Sequence, residues 1–454
     1  TLAYQYTRKP PRLVRPRRNV IVRLCSIECC FTHPLESCPQ NASFRDDIVG
    51  WSKICDRLYV WDYVTNFSHY LLPHPNLDVL EPNIRFFVNH GVKGIFEQGN
   101  YQSFGGEMQE LRSYMIARLL WNPDYGARRA QEEFLKGYYG PAAPPIRAYL
   151  RLMHDEVRRE KIHLRCFTQP TAAHITPEVI ARADALFEEA ERLAAGHPQI
   201  LARVRKARIP VWYAMLCRGR AWSRELERTG KQIGPFGAGW SEKEVAERFF
   251  AACEEAKVTQ VREGGLIGPF KERTMQRLAQ RRSQPTPPPG TEGLPRTRVI
   301  DVQDDEFSYY REGQVSGTRA EETASDGMCG WITGATREWA IQYALPASVF
   351  SPKKEYRAYV VVKVRKEKNE GNAFSFGIYD SEGRKGIFSK TVTAENASSD
   401  WTAYELGTFK PQGQPYVWVA GAENAASVPE ILVDRIYFVE VDTRAGTASN
   451  RGKR

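Results

Sequence analysis

The run Ser283-Gln284-Pro285-Thr286-Pro287-Pro288-Pro289-Gly290 divides this chain into two kinds of polypeptide. Its prolines lack N–H donors and have a fixed φ, so the stretch can neither continue a helix nor join a central strand. It reads as a stiff, extended linker over residues 283–297. On its N-terminal side, short apolar runs alternate with amphipathic ones. On its C-terminal side, only short β-rich runs remain. With 454 residues the chain is too long for one compact core and long enough for two or three.

Residues 1–125 carry the strand candidates Leu2–Tyr6, Val20–Ser26, Leu58–Trp61 and Gly94–Phe96. Each is a β-prone run that ends in polar or aromatic side chains, and helical patterns separate them, as in βαβ units with a parallel sheet. Residues 126–282 read as helical. Thr176-Pro177-Glu178 starts one helix, with Val179, Ile180, Ala183, Leu186, Phe187 and Ala190 on its core face. Ser241 with Glu244 forms a capping box for another. Residues 298–443 alternate short strands with Gly, Asn, Ser and Pro turns, which predicts an antiparallel β-sandwich, and 444–454 read as a disordered tail. The fold class is therefore α/β plus all-β. The opening Thr1-Leu2-Ala3-Tyr4 reads as a strand that continues from an upstream half, and an incomplete barrel with an open strand edge is expected to aggregate when isolated.

No apolar run approaches the roughly 20 residues needed to span a bilayer, so no membrane partner is expected. The net charge of +10 is spread through Arg-rich helices and loops, with no helix-turn-helix, zinc-finger or aromatic RNA-binding signature. Nucleic acid is thus not expected as a partner; a solvated basic surface, suited to an anionic glycan, is. Of the nine cysteines, Cys25, Cys29, Cys30, Cys38 and Cys55 crowd into one stretch near His33. No CxxC pair occurs, and adjacent Cys29 and Cys30 are awkward for tetrahedral ligation. They are expected to be small buried residues or one local disulfide, and no metal site is assigned.

In a (β/α)8 barrel the active site gathers at the C-terminal ends of the strands. Here those ends are Arg23-Leu24-Cys25-Ser26-Ile27-Glu28, Val60-Trp61-Asp62-Tyr63-Val64-Thr65-Asn66 and Ile95-Phe96-Glu97-Gln98-Gly99-Asn100-Tyr101, with Tyr4 and Tyr6 from the first strand. Three carboxylates among Trp and Tyr side chains suit sugar chemistry. Carboxylates serve as acid, base or nucleophile and grip hydroxyls, while aromatic faces stack on a pyranose. Glu28, Asp62 and Glu97 are the candidate catalytic residues. Tyr4, Tyr6, Arg23, Trp61, Tyr63, Asn66, Gln98, Asn100 and Tyr101 are the candidate substrate-binding residues. The competing reading of any one carboxylate is a structural pair with an Arg or a helix cap.

Residues 1 to about 155 resemble the second half of the bacterial domain of unknown function 4838 family, through Leu2-Ala3-Tyr4-Gln5-Tyr6, Arg23-Leu24-Cys25-Ser26-Ile27-Glu28-Cys29-Cys30, Tyr59-Val60-Trp61-Asp62-Tyr63, Gly91-Val92-Lys93-Gly94-Ile95-Phe96-Glu97-Gln98-Gly99 and Ala117-Arg118-Leu119-Leu120-Trp121-Asn122-Pro123. The resemblance implies the C-terminal half of a glycoside-hydrolase-like TIM barrel, loosely similar to hexosaminidase and α-glucuronidase barrels, with the other half of the same protein as its partner. By the similarity to hexosaminidases, Glu97 and Asp62 would grip sugar hydroxyls. Glu28 is then the remaining candidate for proton transfer, and the family's own acid would lie on a strand upstream of Thr1.

In the sandwich, Phe374, Phe376 and Ile378 alternate inward as core. Trp331, Trp339, Trp401, Tyr404 and Trp418 exceed what a small core needs, which suggests a carbohydrate-binding-like module. Asp434 resembles the last-strand position of galactose-binding-like modules, which often hold a structural calcium; no other cofactor is expected. Two functions follow: hydrolysis of a polysaccharide or oligosaccharide through rim carboxylates, or glycan binding without catalysis. Either implies an extracellular or periplasmic location.

Overall fold

The computed structural model describes residues 1–229, 241–281, 285–346 and 349–441. The chain forms two compact units, Thr1–Arg220 with Ile233–Thr274, and Ala221–Gln232 with Met275–Arg454. The sequence expectation of a disordered tail over 444–454 lies outside the described residues, as do the first two residues of the proline-rich run.

The first unit is built on a four-stranded parallel sheet, β1 (Leu2–Ala3), β2 (Val22–Cys25), β3 (Leu58–Tyr63) and β4 (Gly94–Gln98), paired in chain order. Helices α1 (Ala42–Ser52) and α2 (Leu77–Asn89) make the crossovers from β2 to β3 and from β3 to β4, and α3 (Gln109–Trp121) follows β4. Val22, Leu24, Leu58 and Val60 are buried, as the β-branched and apolar runs demand. The strand expected over Leu2–Tyr6 stops at Ala3. Gln5, at φ 49°, turns the backbone into a 3-10 helix over Gln5–Thr7. Pro10, Pro11 and Pro16 then keep the first crossover free of α-helix. β1 and β4 are the sheet's edges.

The rest of this unit is largely helical: α4 (Ala127–Tyr139), α5 (Ala143–Arg159), α6 (Pro177–Ala194), α7 (Pro198–Thr229), α8 (Glu242–Glu255) and α9 (Ile267–Gln280). Both helix starts read from the sequence are present. The Val179 amide donates to Thr176 Oγ1 at 3.2 Å, and Ser241 and Glu244 form the reciprocal capping box. A short hairpin, β5 (Gln260–Arg262) and β6 (Gly265–Leu266), interrupts the helical stretch. The division between units passes through α7 and α9, so the helical segment expected over 126–282 contributes to both. Among the described residues no helix is long and apolar enough to cross a membrane.

The second unit is an antiparallel β-sandwich. Its strands are β7 (Val299–Gln303), β8 (Ser308–Tyr309), β9 (Ser316–Ala320), β10 (Met328–Thr333), β11 (Trp339–Ala344), β12 (Tyr356–Arg365), β13 (Asn372–Asp380), β14 (Lys385–Thr393), β15 (Thr402–Phe409), β16 (Pro415–Gly421) and β17 (Glu430–Glu440). One sheet runs β15-β12-β17-β10-β9, with β7 also on β17; the other runs β14-β13-β16-β11-β8. Phe374, Phe376 and Ile378 meet Val360, Val362, Ile436 and Phe438 in the shared core. The proline-rich segment, read as a free linker, lies against this unit instead. Its carbonyls remain acceptors, and Arg435 Nη1 donates to Thr286 O at 2.8 Å while Tyr437 Oη donates to Pro289 O at 2.8 Å.

Candidate functional site

Strand side chains alternate between faces, and this alternation splits the expected rim in two. The parallel register sets Asp62 opposite Glu97 and Trp61 opposite Phe96. On one face Ser26 Oγ donates to Asp62 Oδ1, which also accepts from the Tyr63 amide at 2.9 Å. On the other face Trp61 Nε1 donates to Gln98 Oε1 at 2.7 Å, with Tyr63 and Phe96 6.2 and 5.3 Å from the indole, ring centre to centre. The carboxylates and the aromatic groups thus stand on opposite sides of β3 and β4. The sequence argument had them on one rim because it followed chain position without the pleat.

The carboxylate face is the electrostatically unusual one. Burial pushes Asp62 up to about 6, against the hydrogen bonds from Ser26 and Tyr63. Burial, and then the neighbouring charge of Asp62, raise Glu97 well above the ordinary carboxylate range. Glu97 is half-exposed as a residue, yet its Oε2 is shut off from solvent and accepts no hydrogen bond from any described residue. Two carboxyls whose charges oppose each other in a dry setting divide their roles, one holding a proton while the other is charged.

The remaining candidates are placed as follows. Glu28, the proton-transfer candidate, takes the structural alternative: Arg8 Nη1 donates to it at 2.5 Å, while Arg8 Nε holds Asp47 at 2.7 Å. Asn66 is a buried turn-former, accepting from the Ser68 and His69 amides and donating to Thr168 O. Asn100 likewise ties down its own loop through Ser103 O and Gln109. Tyr6 is 93% exposed. Tyr4 and Arg23 are both half-buried; burial raises the Cys25 thiol, and the charge of Arg23 opposes that rise. Tyr101 is exposed and donates to Glu263 Oε1 at 2.9 Å.

That last contact reveals residues the sequence argument missed. The β5–β6 hairpin arches onto the loops after β3 and β4: the Tyr70 amide donates to Val261 O, the Glu263 amide to Phe67 O and the Gly264 amide to Gln102 Oε1. His69 sits below it, held neutral by burial that lowers it to about 4, with Tyr213 Oη 2.8 Å from Nδ1. No local motif signals a partner some 160 residues away.

On the sandwich, the tryptophans fall on different surfaces. Trp331 and Trp401 pack with Ala324, Cys329 and Leu432 on one sheet, and Tyr404 packs against the central core. Trp339 and Trp418 lie on the other sheet, stacked 4.7 Å apart at 10°, with Tyr379 and Tyr416 5.4 and 5.9 Å from Trp339. Gly377 lies under this cluster, where a Cβ would come within 2.3 Å of Phe388 O on β14 and 2.6 Å of the Trp418 ring. Trp418 is buried and Trp339 half-buried, so Trp339 presents the accessible indole. Gly377→Ala is expected to displace both β14 and Trp418 and weaken the stacked-indole exciton couplet in far-ultraviolet circular dichroism; an unchanged spectrum would contradict this geometry.

The calcium reading of Asp434 does not fit its surroundings. Asp434 Oδ1 accepts from the Ser325 amide and hydroxyl at 2.9 and 2.8 Å, and Oδ2 from Arg435 Nε at 3.1 Å. A guanidinium already supplies the positive charge that a calcium ion would bring.

None of the curated proteins compared with the chain matches it. Among solved structures, the chain is similar to the CBM22-1 xylan-binding domain from Paenibacillus barcinonensis Xyn10C, at 14% identity and a TM-score of 0.24, covering 32% of this chain and 94% of that one. It is also similar to the C-terminal family 22 carbohydrate binding module of Clostridium thermocellum Xyn10B, at 16% identity and a TM-score of 0.24, with 32% and 94% covered. A third similarity is to the carbohydrate binding module CBM6cm-2 from Cellvibrio mixtus lichenase 5A, at 13% identity and a TM-score of 0.20, with 32% and 98% covered. A family model described as Domain of unknown function (DUF4838) matches residues 1–151.

Proposed function

We propose that this protein binds carbohydrate through its β-sandwich, and that its parallel sheet is the closing part of a glycosidase-like barrel acting outside the cell on a polysaccharide or oligosaccharide. The observation that carries the binding reading is the cluster of Trp339, Trp418, Tyr379 and Tyr416 on the outer side of the β14-β13-β16-β11-β8 sheet. Four aromatic rings gathered away from the core are more than packing requires, and a half-buried indole on a rigid stack costs little entropy when a pyranose docks on it. Trp339→Ala should therefore weaken glycan binding at least tenfold while the sandwich stays folded, as a buried aromatic anchor at the centre of a binding surface would. Titration calorimetry against soluble xylan, cellulose and uronic-acid oligosaccharides checks this. Equal binding by the parent and the variant, or no binding by either, would refute the reading.

Hydrolysis is the second reading, and the pair of Asp62 and Glu97 favours it. A carboxyl held well above the ordinary carboxylate range beside a second, chargeable one is the equipment of glycosidic bond cleavage. Glu97→Gln, placed in the protein with its barrel strands complete, should abolish release of product from a nitrophenyl glycoside panel without loss of folding. Retained turnover would remove Glu97 from the chemistry.

A further inference from the structure

The loop after β2 carries a constellation that neither the sugar-binding reading nor the carboxylate pair uses. Cys30, His33 and Cys38 meet His163, which arrives from the segment after α5, and one donor atom from each lies within 4.8 Å of the others. Cys30 Sγ is 3.3 Å from His33 Nδ1 and 3.2 Å from His163 Nδ1, and Cys38 Sγ is 3.7 Å from His163 Nδ1. A tetrahedral zinc, with sulfur at about 2.3 Å and nitrogen at about 2.0–2.1 Å, requires its ligand atoms to be about 3.3–3.8 Å apart. Two of the three edges, at 3.3 and 3.7 Å, fall within that spacing and the third, at 3.2 Å, is just short of it. The objection raised from sequence, that Cys29 and Cys30 are neighbours, does not hold in the fold. Cys29 is buried in the field of Asp62, Arg8 and Glu28, and only Cys30 turns to the cluster.

The backbone around the cluster is fixed independently of any ion. The Asn41 side chain brackets the loop, accepting from the Cys30 amide at 2.7 Å and donating to Cys30 O at 3.0 Å. Thr32 Oγ1 lies 3.3 Å from both Cys30 Sγ and His33 Nδ1, and it donates to Ile162 O at 2.8 Å. The Phe31 amide donates to Leu164 O at 2.9 Å, so the two segments run side by side with His163 facing the thiols. Held donors of this kind pre-form a site.

We propose that Cys30, His33, Cys38 and His163 form a structural zinc site. Thiolate and imidazole together suit zinc, and four protein donors leave no open position, which marks the site as structural and not hydrolytic. Cys30 and Cys38 are buried, His33 is half-buried and His163 exposed, so the ion can enter from solvent on the histidine side. Its effect is to cross-link parts of the chain 125 residues apart. The same segment continues to Cys166 and Thr168, whose carbonyls accept from the Phe67 amide and the Asn66 side chain. The ion would thereby fasten the loop after β2 to the loop after β3, just beyond Asp62.

The test is metal analysis of the whole chain purified under reducing conditions from zinc-supplemented culture, by inductively coupled plasma mass spectrometry. One zinc per chain is expected, and saturation with zinc should raise the unfolding temperature by roughly 5–10 °C over the chelator-treated protein. Cobalt exchanged into the same protein should give visible bands of tetrahedral type together with a thiolate charge-transfer band. His163→Ala, at an exposed position that tolerates substitution, should lose both the metal and the zinc-dependent stabilisation while remaining folded; Cys38→Ser should lose the charge-transfer intensity of one thiolate. Protein that retains no zinc, a Cys30–Cys38 disulfide found by peptide mapping of that same preparation, or zinc binding that survives His163→Ala unchanged would each overturn the assignment.

Discussion

Arg281→Met is expected to cost the sandwich unit about 3–5 kcal/mol at pH 7, the penalty of removing one partner from a buried ion pair. Arg281 Nη1 donates to Asp326 Oδ2 at 2.7 Å, and Nη2 donates to both oxygens of Asp304 at 2.9 and 2.8 Å. Both aspartates are fully buried. Methionine matches the stem in volume but removes the guanidinium that both buried carboxylates share. They would escape by taking up protons, so the deficit should shrink as the pH is lowered. Hydrogen exchange at the amides of β7 and β10 isolates this unit from the rest of the chain and reads its opening free energy. A loss under about 1 kcal/mol at pH 7 would mean that water reaches the two aspartates. The triple variant Arg281→Met, Asp304→Asn, Asp326→Asn should recover part of the loss, because it removes the buried negative charge that Arg281 had offset.

Asp62→Asn is expected to act in the opposite direction. The folded-state pKa of about 6 lies above the ordinary 3.8, so between those values the folded protein keeps a proton that the unfolded chain has released. Stability from this group is full below pH 4, falls as the pH rises towards 6 and stays low above it, a total of about 3 kcal/mol. Asparagine keeps Oδ1 as the acceptor for Ser26 Oγ and the Tyr63 amide while removing the charge. The variant should be more stable than the parent above pH 6, by on the order of 1–3 kcal/mol, with a flatter profile between pH 4 and 6. Glu97 should also titrate lower, since the charge of Asp62 is one of the two causes that raise it. Urea titrations followed between pH 4 and 8 decide the matter; a variant less stable than the parent at pH 8 would defeat this reading of the pair. A protein that keeps a destabilising carboxylate in place is trading stability for something a neutral amide cannot do.

The sequence carried the strands well where burial alone decides them. The runs at Val22–Cys25 and Leu58–Tyr63 bury most of their apolar side chains, and with Gly94–Gln98 they form the parallel sheet. It failed where a single backbone angle or a distant partner decides. Gln5 ends β1 early, and nothing in Leu2-Ala3-Tyr4-Gln5-Tyr6 signals its positive φ. Glu28 looked like a free carboxylate because Arg8 lies on the far side of three prolines. Asn66 and Asn100 were read as ligands for sugar, yet Asn side chains mimic backbone in turns, and these two do so. Tyr379 and Tyr416 went unnoticed beside the more conspicuous tryptophans, because register, not composition, brings them to Trp339. The cysteine-rich loop was set aside for want of a CxxC pair, since its fourth donor, His163, lies on a segment with no local sign of metal binding.

β17 pairs along its whole length with β12 on one side, while β10 and β7 share its other side in succession, at Glu430–Val433 and Arg435–Val439. The last described strand of this unit is therefore the one around which three earlier strands are organised. Until it emerges, β12 and β10 have no neighbour in common and the halves of their sheet cannot close. Folding of this unit must await the emergence of Glu430–Glu440, with long-range pairing and the slow closure that accompanies it. A premature stop or a proteolytic nick ahead of Glu430 would remove not one strand but the sheet.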